Sequence, residues 1–345
     1  MLRRNLEEVL ALLARMIWQP ALRETDFRKL RRQAQASLCA RLDDDQTLGA
    51  IHFRRALFGS HPYGRTLAGT SRSVQGLGVD DARAFYAAHI HDCDFTVGIA
   101  GDVTDADARM LIATHLPESG PYRRRATSVP PTRVRKGRHV VIVDKPERAQ
   151  TQLFIGTLGA RTRDPKLFPL IVSNTAFGGT FSGPLMQQVR GVRGWSYGAY
   201  SRLLHSVRRD AWYMWTAPAA EYSADCGALQ LRLLEAWVDR GIKNAQLSFA
   251  QRYLINSHCF DRDTPSKRLE ACLDVELLGI PRRYVEEHDA LIGAVTRTEA
   301  NEATRARISP SDLTIVAVAT ADDVAGAFEA LPGVESLQIV PFDAA

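Results

Sequence analysis

The chain has 345 residues, 45% of them hydrophobic and 24% charged, with a formal net charge of +5. That length suits a globular protein with two cores of ordinary domain size, and the absence of any run of eighteen apolar residues excludes a transmembrane helix. The five cysteines (Cys39, Cys93, Cys226, Cys259, Cys272) are odd in number, scattered and never spaced C-x-x-C, which excludes a disulfide framework and a structural zinc site and points to free thiols in a reducing compartment.

In chain order, Val9 to Trp18 is an apolar stretch broken by Arg15, with helical spacing rather than the form of a signal-peptide core. The run FRKLRRQAQASLCARLDDD predicts a helix from Phe27, His61-Pro62-Tyr63-Gly64 a turn, and VQGLGVDDARAF a short helix capped by Asp80. FTVGIAGDV then has the β-rich composition of a strand. Between Pro121 and Arg138 lie Arg123, Arg124, Arg125, Arg133, Arg135, Lys136 and Arg138 with no acid, so the rest of the chain carries a net −2. This segment also holds Pro121, Pro130 and Pro131 and reads as an inter-domain linker. It has no interleaved aromatics or recognised motif that would make it a nucleic-acid patch.

Beyond the linker, RHVVIVDK and TQLFIGTLGA alternate like strands, PKLFPLIVSNTAF has helical spacing, and YGAYSRLLHS with DAWYMWTAP predicts a β-hairpin. Amphipathic helices follow at about 222 to 240, 244 to 259 and 264 to 279. IGAVTRTEANEA predicts a helix capped by Thr298, and LTIVAVATADDV a closing strand.

Self-comparison reorganises this reading. Phe27 and its helix pair with Phe249 in FAQRYLINSHCFDRDT, Val74 pairs with Ile292, and Thr96 pairs with Thr314. The first offset exceeds the other two by four, which places a short insertion in the first copy at the His61–Gly64 turn. The second copy has a part upstream, from Arg138 to Asp225, with no counterpart in the first. The expected organisation is therefore a first domain over 1–120 that is incomplete at its N-terminus, a basic linker over 121–137, and a second, homologous domain over 138–345. Strands followed by runs of helices give the fold class α+β, an antiparallel-rich sheet covered by helices in each α/β-sandwich domain.

The run GGTFSGPLMQQVRGVRGWSYGAYS, Gly178 to Ser201, carries the candidate chemistry. Gly178, Gly179 and Gly183 permit unusual dihedrals and close approach of another chain, and Ser182 is placed to cap the helix leading to Arg190. Arg190 and Tyr197 flank a turn at Gly194, a pair of donors suited to a carbonyl oxygen gaining negative charge.

This run resembles the second-domain signature of the pitrilysin, insulinase and mitochondrial-processing-peptidase type of zinc metallopeptidases. There a glycine-rich loop and helix lead to an Arg and, seven positions later, a Tyr. Arg190 and Tyr197 have that spacing, while Gly191 stands where the family usually has an acid. ALFGSHPYGRTLAGT, the helix before Asp43-Asp44-Asp45, DDARAFYAAHI and TVGIAGDV match the first domain, so the resemblance covers nearly all of the chain. It implies that Arg190 and Tyr197 support the transition state at a substrate carbonyl held at a zinc on another domain. Gly178, Gly179, Thr180 and Ser182 are expected to contact substrate.

The family's zinc site is implied to be an inverted His-x-x-Glu-His plus a Glu on a later helix. The chemistry needs two imidazoles on one helix face, a third ligand and a water-activating Glu. No His-x-x-Glu-His occurs; the nearest run, Tyr284-Val285-Glu286-Glu287-His288, has Tyr at the first ligand position, lies in the second copy and reads as a surface helix. Counting back from Asp43-Asp44-Asp45, the later Glu would fall near Ala36 or Ser37, yet Phe27 through Leu42 contains no acid. The crowded His89, His91, Asp92, Cys93 and Asp94 read as a loop, Ser182 in GTFSG does not form a nucleophile elbow, and Trp195, Trp212 and Trp215 read as packing.

The expected function is a non-catalytic subunit of a heterodimeric zinc peptidase, with no metal or cofactor in this chain. The resemblance implies zinc in a homologous partner and an unfolded peptide substrate bound partly by strand addition, with neither nucleic acid nor membrane as a partner. A cytoplasmic location is expected, with a periplasmic one left open by the incomplete first domain. Two alternatives stand beside it: a structural core-type subunit of a larger complex without a proteolytic role, and a truncated form of an active single-chain zinc peptidase.

Overall fold

The computed structural model describes residues 2–91, 93, 95–116 and 128–344. Asp92 and Asp94 of the crowded loop, and Pro121 to Arg125 of the basic linker, lie outside the described residues. Helices α1 (Leu6–Trp18), α2 (Glu24–Ala40), α3 (Asp45–Phe58), α4 (Val79–His89) and α5 (Asp105–His115) come first. Strands β1 (Arg138–Asp144) and β2 (Gln152–Leu158), helix α6 (Leu167–Asn174) and the hairpin β3 (Ala199–His205) and β4 (Arg209–Thr216) follow. Helices α7 (Ser223–Arg240), α8 (Asn244–His258), α9 (Pro265–Leu278), α10 (His288–Gly293) and α11 (Arg297–Arg307) lead to β5 (Leu313–Ala319), α12 (Ala321–Glu329) and β6 (Val334–Pro341).

Packing draws two units from interleaved segments: Met1–Cys39, Ala68–Ser128 and Phe260–Gly279 form one, and Ala40–Leu67, Val129–Cys259 and Ile280–Ala345 the other. The expected 1–120, 121–137 and 138–345 division rests on internal sequence similarity, whereas these units follow contacts.

The first unit is helical. The Tyr86 hydroxyl of α4 donates to the Ile17 carbonyl at 2.8 Å, Arg3 reaches Asp107 of α5 at 3.2 Å, and the Trp18 and Phe95 rings lie 5.5 Å apart. The segment FTVGIAGDV, expected as a strand, forms none. A strand exists only through a ladder with a neighbour, and none of the described strands pairs with it; its Gly98 lies instead against Leu269 and Leu273 of α9. Nor does Asp80 cap α4. Gly78 holds the cap position and its N–H donates to the Asp81 carboxylate at 2.8 Å. In the second copy the cap is likewise two residues earlier than expected, at Thr296, which with Glu299 forms a capping box on α11.

The second unit holds a six-stranded sheet in the order β3-β4-β2-β5-β1-β6. The junctions β3/β4, β4/β2 and β2/β5 are antiparallel, and β5/β1 and β1/β6 are parallel, so the sheet is mixed and antiparallel-rich, and the α+β class stands. Although their sequences suggested alternation, β1 and β2 are buried along almost their whole length. The reason is that helices cover both faces. Val140, Ile142, Leu153, Ile155, Ile315 and Ala317 pack in one core with Leu170 of α6, Leu231 and Leu234 of α7 and Phe328 of α12. Val141, Val143, Phe154, Val316 and Val318 point the other way and meet Leu48, Phe53, Leu57 and Phe58 of α3.

Helix α3 is fastened to this second face by the acidic run before it. The Asp44 carboxylate caps α3, accepting from the Gln46 and Thr47 N–H groups at 3.1 Å each; the Thr47 hydroxyl bond and these backbone bonds hold its pKa below the usual range. Asp45 pairs with Lys145, which is buried at the end of β1, and with Arg148 at 3.5 Å. Arg138, counted in the basic run, is also buried as the first residue of β1, and pairs with Glu235 at 2.7 Å.

His52 of α3 is buried, and desolvation, helped by the charge of Arg55, lowers its pKa from 6.5 to about 4. The unfolded chain binds that proton more readily, so the contribution is complete above pH 6.5 and declines as pH falls toward 4. Denaturant unfolding at pH 7.5 and pH 5 should therefore show the wild type losing about 2 kcal/mol more than His52→Leu. Equal losses in the two proteins would mean that His52 does not titrate in this way.

Candidate functional site

The glycine-rich run lies wholly in the second unit and is built on the end of α6. That helix widens into a π-turn over Thr175–Gly179 and is clamped to the hairpin by Asn174, whose Oδ1 accepts from the Ser201 hydroxyl at 2.7 Å and from Trp212 Nε1 at 2.8 Å. Gly178 is buried beneath the loop, where a Cβ would lie 2.7 Å from Ser201 Oγ and 3.0 Å from Leu185 Cδ2. Gly179 and Ser182 are exposed and Thr180 half-buried. The Thr180 hydroxyl itself is shielded from solvent and has no hydrogen-bond partner among the described residues. Ser182 does not cap the helix that follows: Gly183 is its N-cap and Pro184 its first residue, the position where a missing N–H costs nothing.

The short helix Pro184–Met186 continues into a second π-turn, Gln187–Val192, which carries Arg190. Gly194 at φ +65° reverses the chain, a conformation that glycine adopts without a Cβ penalty, and bonds from Gly194 N to Arg190 O (3.0 Å) and Trp195 N to Val189 O (3.1 Å) close the turn. Ser196 then bridges the hairpin, donating to the Gly198 carbonyl at 2.6 Å and accepting from the Ala217 N–H at 2.9 Å. Tyr197 sits between these fixed points with 85% of its surface exposed.

The structure brings Arg190 and Tyr197 together, and adds a third residue. The Arg190 guanidinium lies 4.4 Å from the Tyr197 ring centroid and 4.8 Å from that of Phe181. Each face contributes on the order of 0.5–1 kcal/mol at an exposed site. No carboxylate stands within ion-pair distance of Arg190 among the described residues, so its five N–H donors are not spent on a charge partner. Phe181, 62% exposed, was legible only as the aromatic within Gly-Thr-Phe-Ser-Gly, a position with no pattern to single it out.

Around this cluster the tryptophans pack as expected. Trp212 is fully buried, Trp215 Nε1 donates to Gln152 Oε1 at 3.0 Å, and Trp195 stacks on Tyr222 at 5.9 Å.

The residues do not fit the zinc site that the resemblance implies. Helix α2 is formed where the later ligand would stand, but Ala36 and Ser37 occupy its exposed surface. Its acids, Glu24 and Asp26, lie in the first turn, with Glu24 paired to Arg28 at 2.7 Å. In the crowded loop the Cys93 thiol is turned to the His89 carbonyl. The Tyr284–His288 run is not a single surface helix: it divides into a helical turn, Arg283–Glu286, and α10, which begins at the partly buried His288.

Residues 76–224 match the peptidase M16 inactive domain. An uncharacterized zinc protease of Mycobacterium tuberculosis is 27% identical over 275 residues, 79% of this chain and 62% of the relative. A Helicobacter pylori protein named as a non-peptidase homolog is 23% identical over 319 residues, 90% of this chain and 72% of that one. Among solved structures, a peptidase M16 inactive domain from Pseudomonas fluorescens superposes with a TM-score of 0.80 at 20% identity, covering 98% of this chain and 76% of that one. The chain thus resembles M16 peptidase-like proteins over most of its length, and it spans about three fifths of the mycobacterial relative's length (62%). Among the described residues no helix is long and apolar enough to cross a membrane.

The close fit at Gly178 predicts a selective cost. Gly178→Ala should lower unfolding stability by about 1–3 kcal/mol, whereas Gly179→Ala, whose Cβ would meet its nearest atom at 3.4 Å, should change it by less than about 0.5 kcal/mol. Chemical denaturation of the two variants side by side tests this.

Proposed function

We propose that the chain is the non-catalytic subunit of a heterodimeric zinc peptidase and supplies Arg190 and Tyr197 to a composite site on a homologous, zinc-binding partner. One observation carries the reading: a half-buried guanidinium lies against two aromatic rings with no carboxylate beside it among the described residues. A cation kept in place by ring faces keeps its N–H edge free, and such an edge can bind an oxygen supplied by another molecule.

In this reading the substrate is an unfolded peptide. Strand β3 lies at one edge of the sheet and starts two residues after Tyr197, so a peptide adding to that edge would run past both side chains. Gly179, Thr180 and Ser182 line the approach, and Gly178 lets the loop sit close on the hairpin. Arg190 and the Tyr197 hydroxyl donate to the carbonyl oxygen as it becomes negative, and hold that oxygen in place. The partner's zinc supplies the Lewis acid and the activated water.

Co-expression with candidate homologous partners, followed by assay on an unstructured peptide, tests the proposal. Arg190→Ala and Tyr197→Phe should each lower turnover by about ten to a thousand fold without changing dimer assembly or thermal stability. Full turnover in both variants would remove the composite site. It would favour the second reading, a structural subunit without a proteolytic role, which the name of the H. pylori relative as a non-peptidase homolog supports.

A further inference from the structure

We propose that His258, His288 and Asp289 form a binding site for a divalent transition-metal ion of the zinc type, which clamps the end of α8 to the start of α10. His258 is the last residue of α8, and His288 and Asp289 are the first two of α10. The Nδ1 atoms of His258 and His288 stand 2.7 and 3.0 Å from the same Asp289 oxygen, and the three ligand atoms all lie within 4.8 Å of one another.

Two imidazoles that converge on one carboxylate oxygen through the same ring atom must each present a proton there when no metal is present. A metal ion displaces those protons and replaces the two hydrogen bonds with bonds of about 2.0–2.2 Å. Tetrahedral ligands at such lengths stand roughly 3.3–3.5 Å apart, so the two His–Asp separations must widen by about 0.3–0.8 Å. The donor set, two nitrogens and one oxygen, suits zinc, cobalt or nickel better than calcium or magnesium, which favour oxygen alone. It also leaves a fourth position for water.

The surroundings are those of a partly closed site. The side chains of His258 and His288 keep only 15% and 22% of their exposure, while Asp289 keeps 54% and opens the site to solvent. The Phe168 ring, itself edge-on to Tyr284 at 4.8 Å, walls His288 at 5.9 Å. The two imidazoles are 3.9 Å apart between centroids, so both rings stand on the same side of the carboxylate oxygen they share. The ligands also bracket the excursion Phe260–Gly279, in which the chain leaves the second unit. A clamp there fixes the point of departure against the point of return and removes loop freedom from the unfolded chain.

Sequence spacing conceals this site, because the partner of His288 stands thirty positions earlier rather than within the Tyr284–His288 run. The proposal does not rest on the role of Arg190 and Tyr197.

The full chain, stripped with a chelator and titrated with Zn²⁺ by calorimetry, should bind one equivalent and melt at a higher temperature when loaded. X-ray absorption of the zinc form should show two histidine nitrogens and an oxygen. Affinity should fall by at least about 100-fold in Asp289→Asn and in the His258→Gln/His288→Gln double variant, since even loss of a ligand's outer partner costs ten- to a hundred-fold. His89→Gln, in the other histidine-rich loop, should bind as the wild type does. No saturable binding by the wild type, a spectrum with sulfur or without two imidazoles, or unchanged affinity in a folded Asp289→Asn would each overturn the proposal.

Discussion

The sheet of the second unit depends on a helix encoded in the first repeat. Strands β1, β2 and β5 carry apolar side chains on both faces, and a sheet of that kind is stable only when both are covered. Helices from the second repeat cover one face, with Leu170, Leu231 and Phe328 against Ile142 and Ile155. The other is closed by α3, through Leu48, Phe53, Leu57 and Phe58. The Asp44 cap and the Asp45–Lys145 pair set the start of α3 where those side chains reach the sheet. The acidic run that resembles a helix end in a metallopeptidase thus acts here as a fastening for the next helix.

The same sheet positions the candidate site. Asn174 accepts from Ser201 and from Trp212, so the end of α6, the edge strand and the core share one hydrogen-bonded junction. Gly178 brings the loop down onto that junction and Gly194 turns the chain back into β3. Phe181 and Arg190 lie between these two glycines and Tyr197 follows the second, so all three project from a backbone held at fixed points. Their order does not come from burial of their own, since Phe181 and Tyr197 are largely exposed.

The sequence made legible what local pattern controls. The hairpin, β1, β2, the long helices and the seven-residue spacing of Arg190 and Tyr197 all follow from periodicity or from a resemblance carried by quoted residues. What it concealed depends on tertiary neighbours. Alternation in β1 and β2 predicts strands, but nothing local announces that α3 will cover their second face. FTVGIAGDV has strand composition, but a ladder requires a partner that composition cannot supply. Phe181 matters only through where Arg190 lies, and His258 only through His288. Both helix caps lie two residues before the expected positions, at Gly78 and Thr296, because in each case it is the acid three residues on, Asp81 or Glu299, that reaches back to the cap N–H.

Gly191 connects the departures from the family pattern. Glycine leaves no carboxylate at that position, and a Cβ there would meet Gln187 Oε1 at 3.2 Å rather than the guanidinium. The guanidinium instead rests between Phe181 and Tyr197, where ring faces hold its plane but make no claim on its N–H edge. On α2, likewise, Ala36 and Ser37 leave no carboxylate to hold a metal. Neither position supplies a carboxylate, so Gly191 offers Arg190 no charge partner and α2 offers a metal no third ligand there.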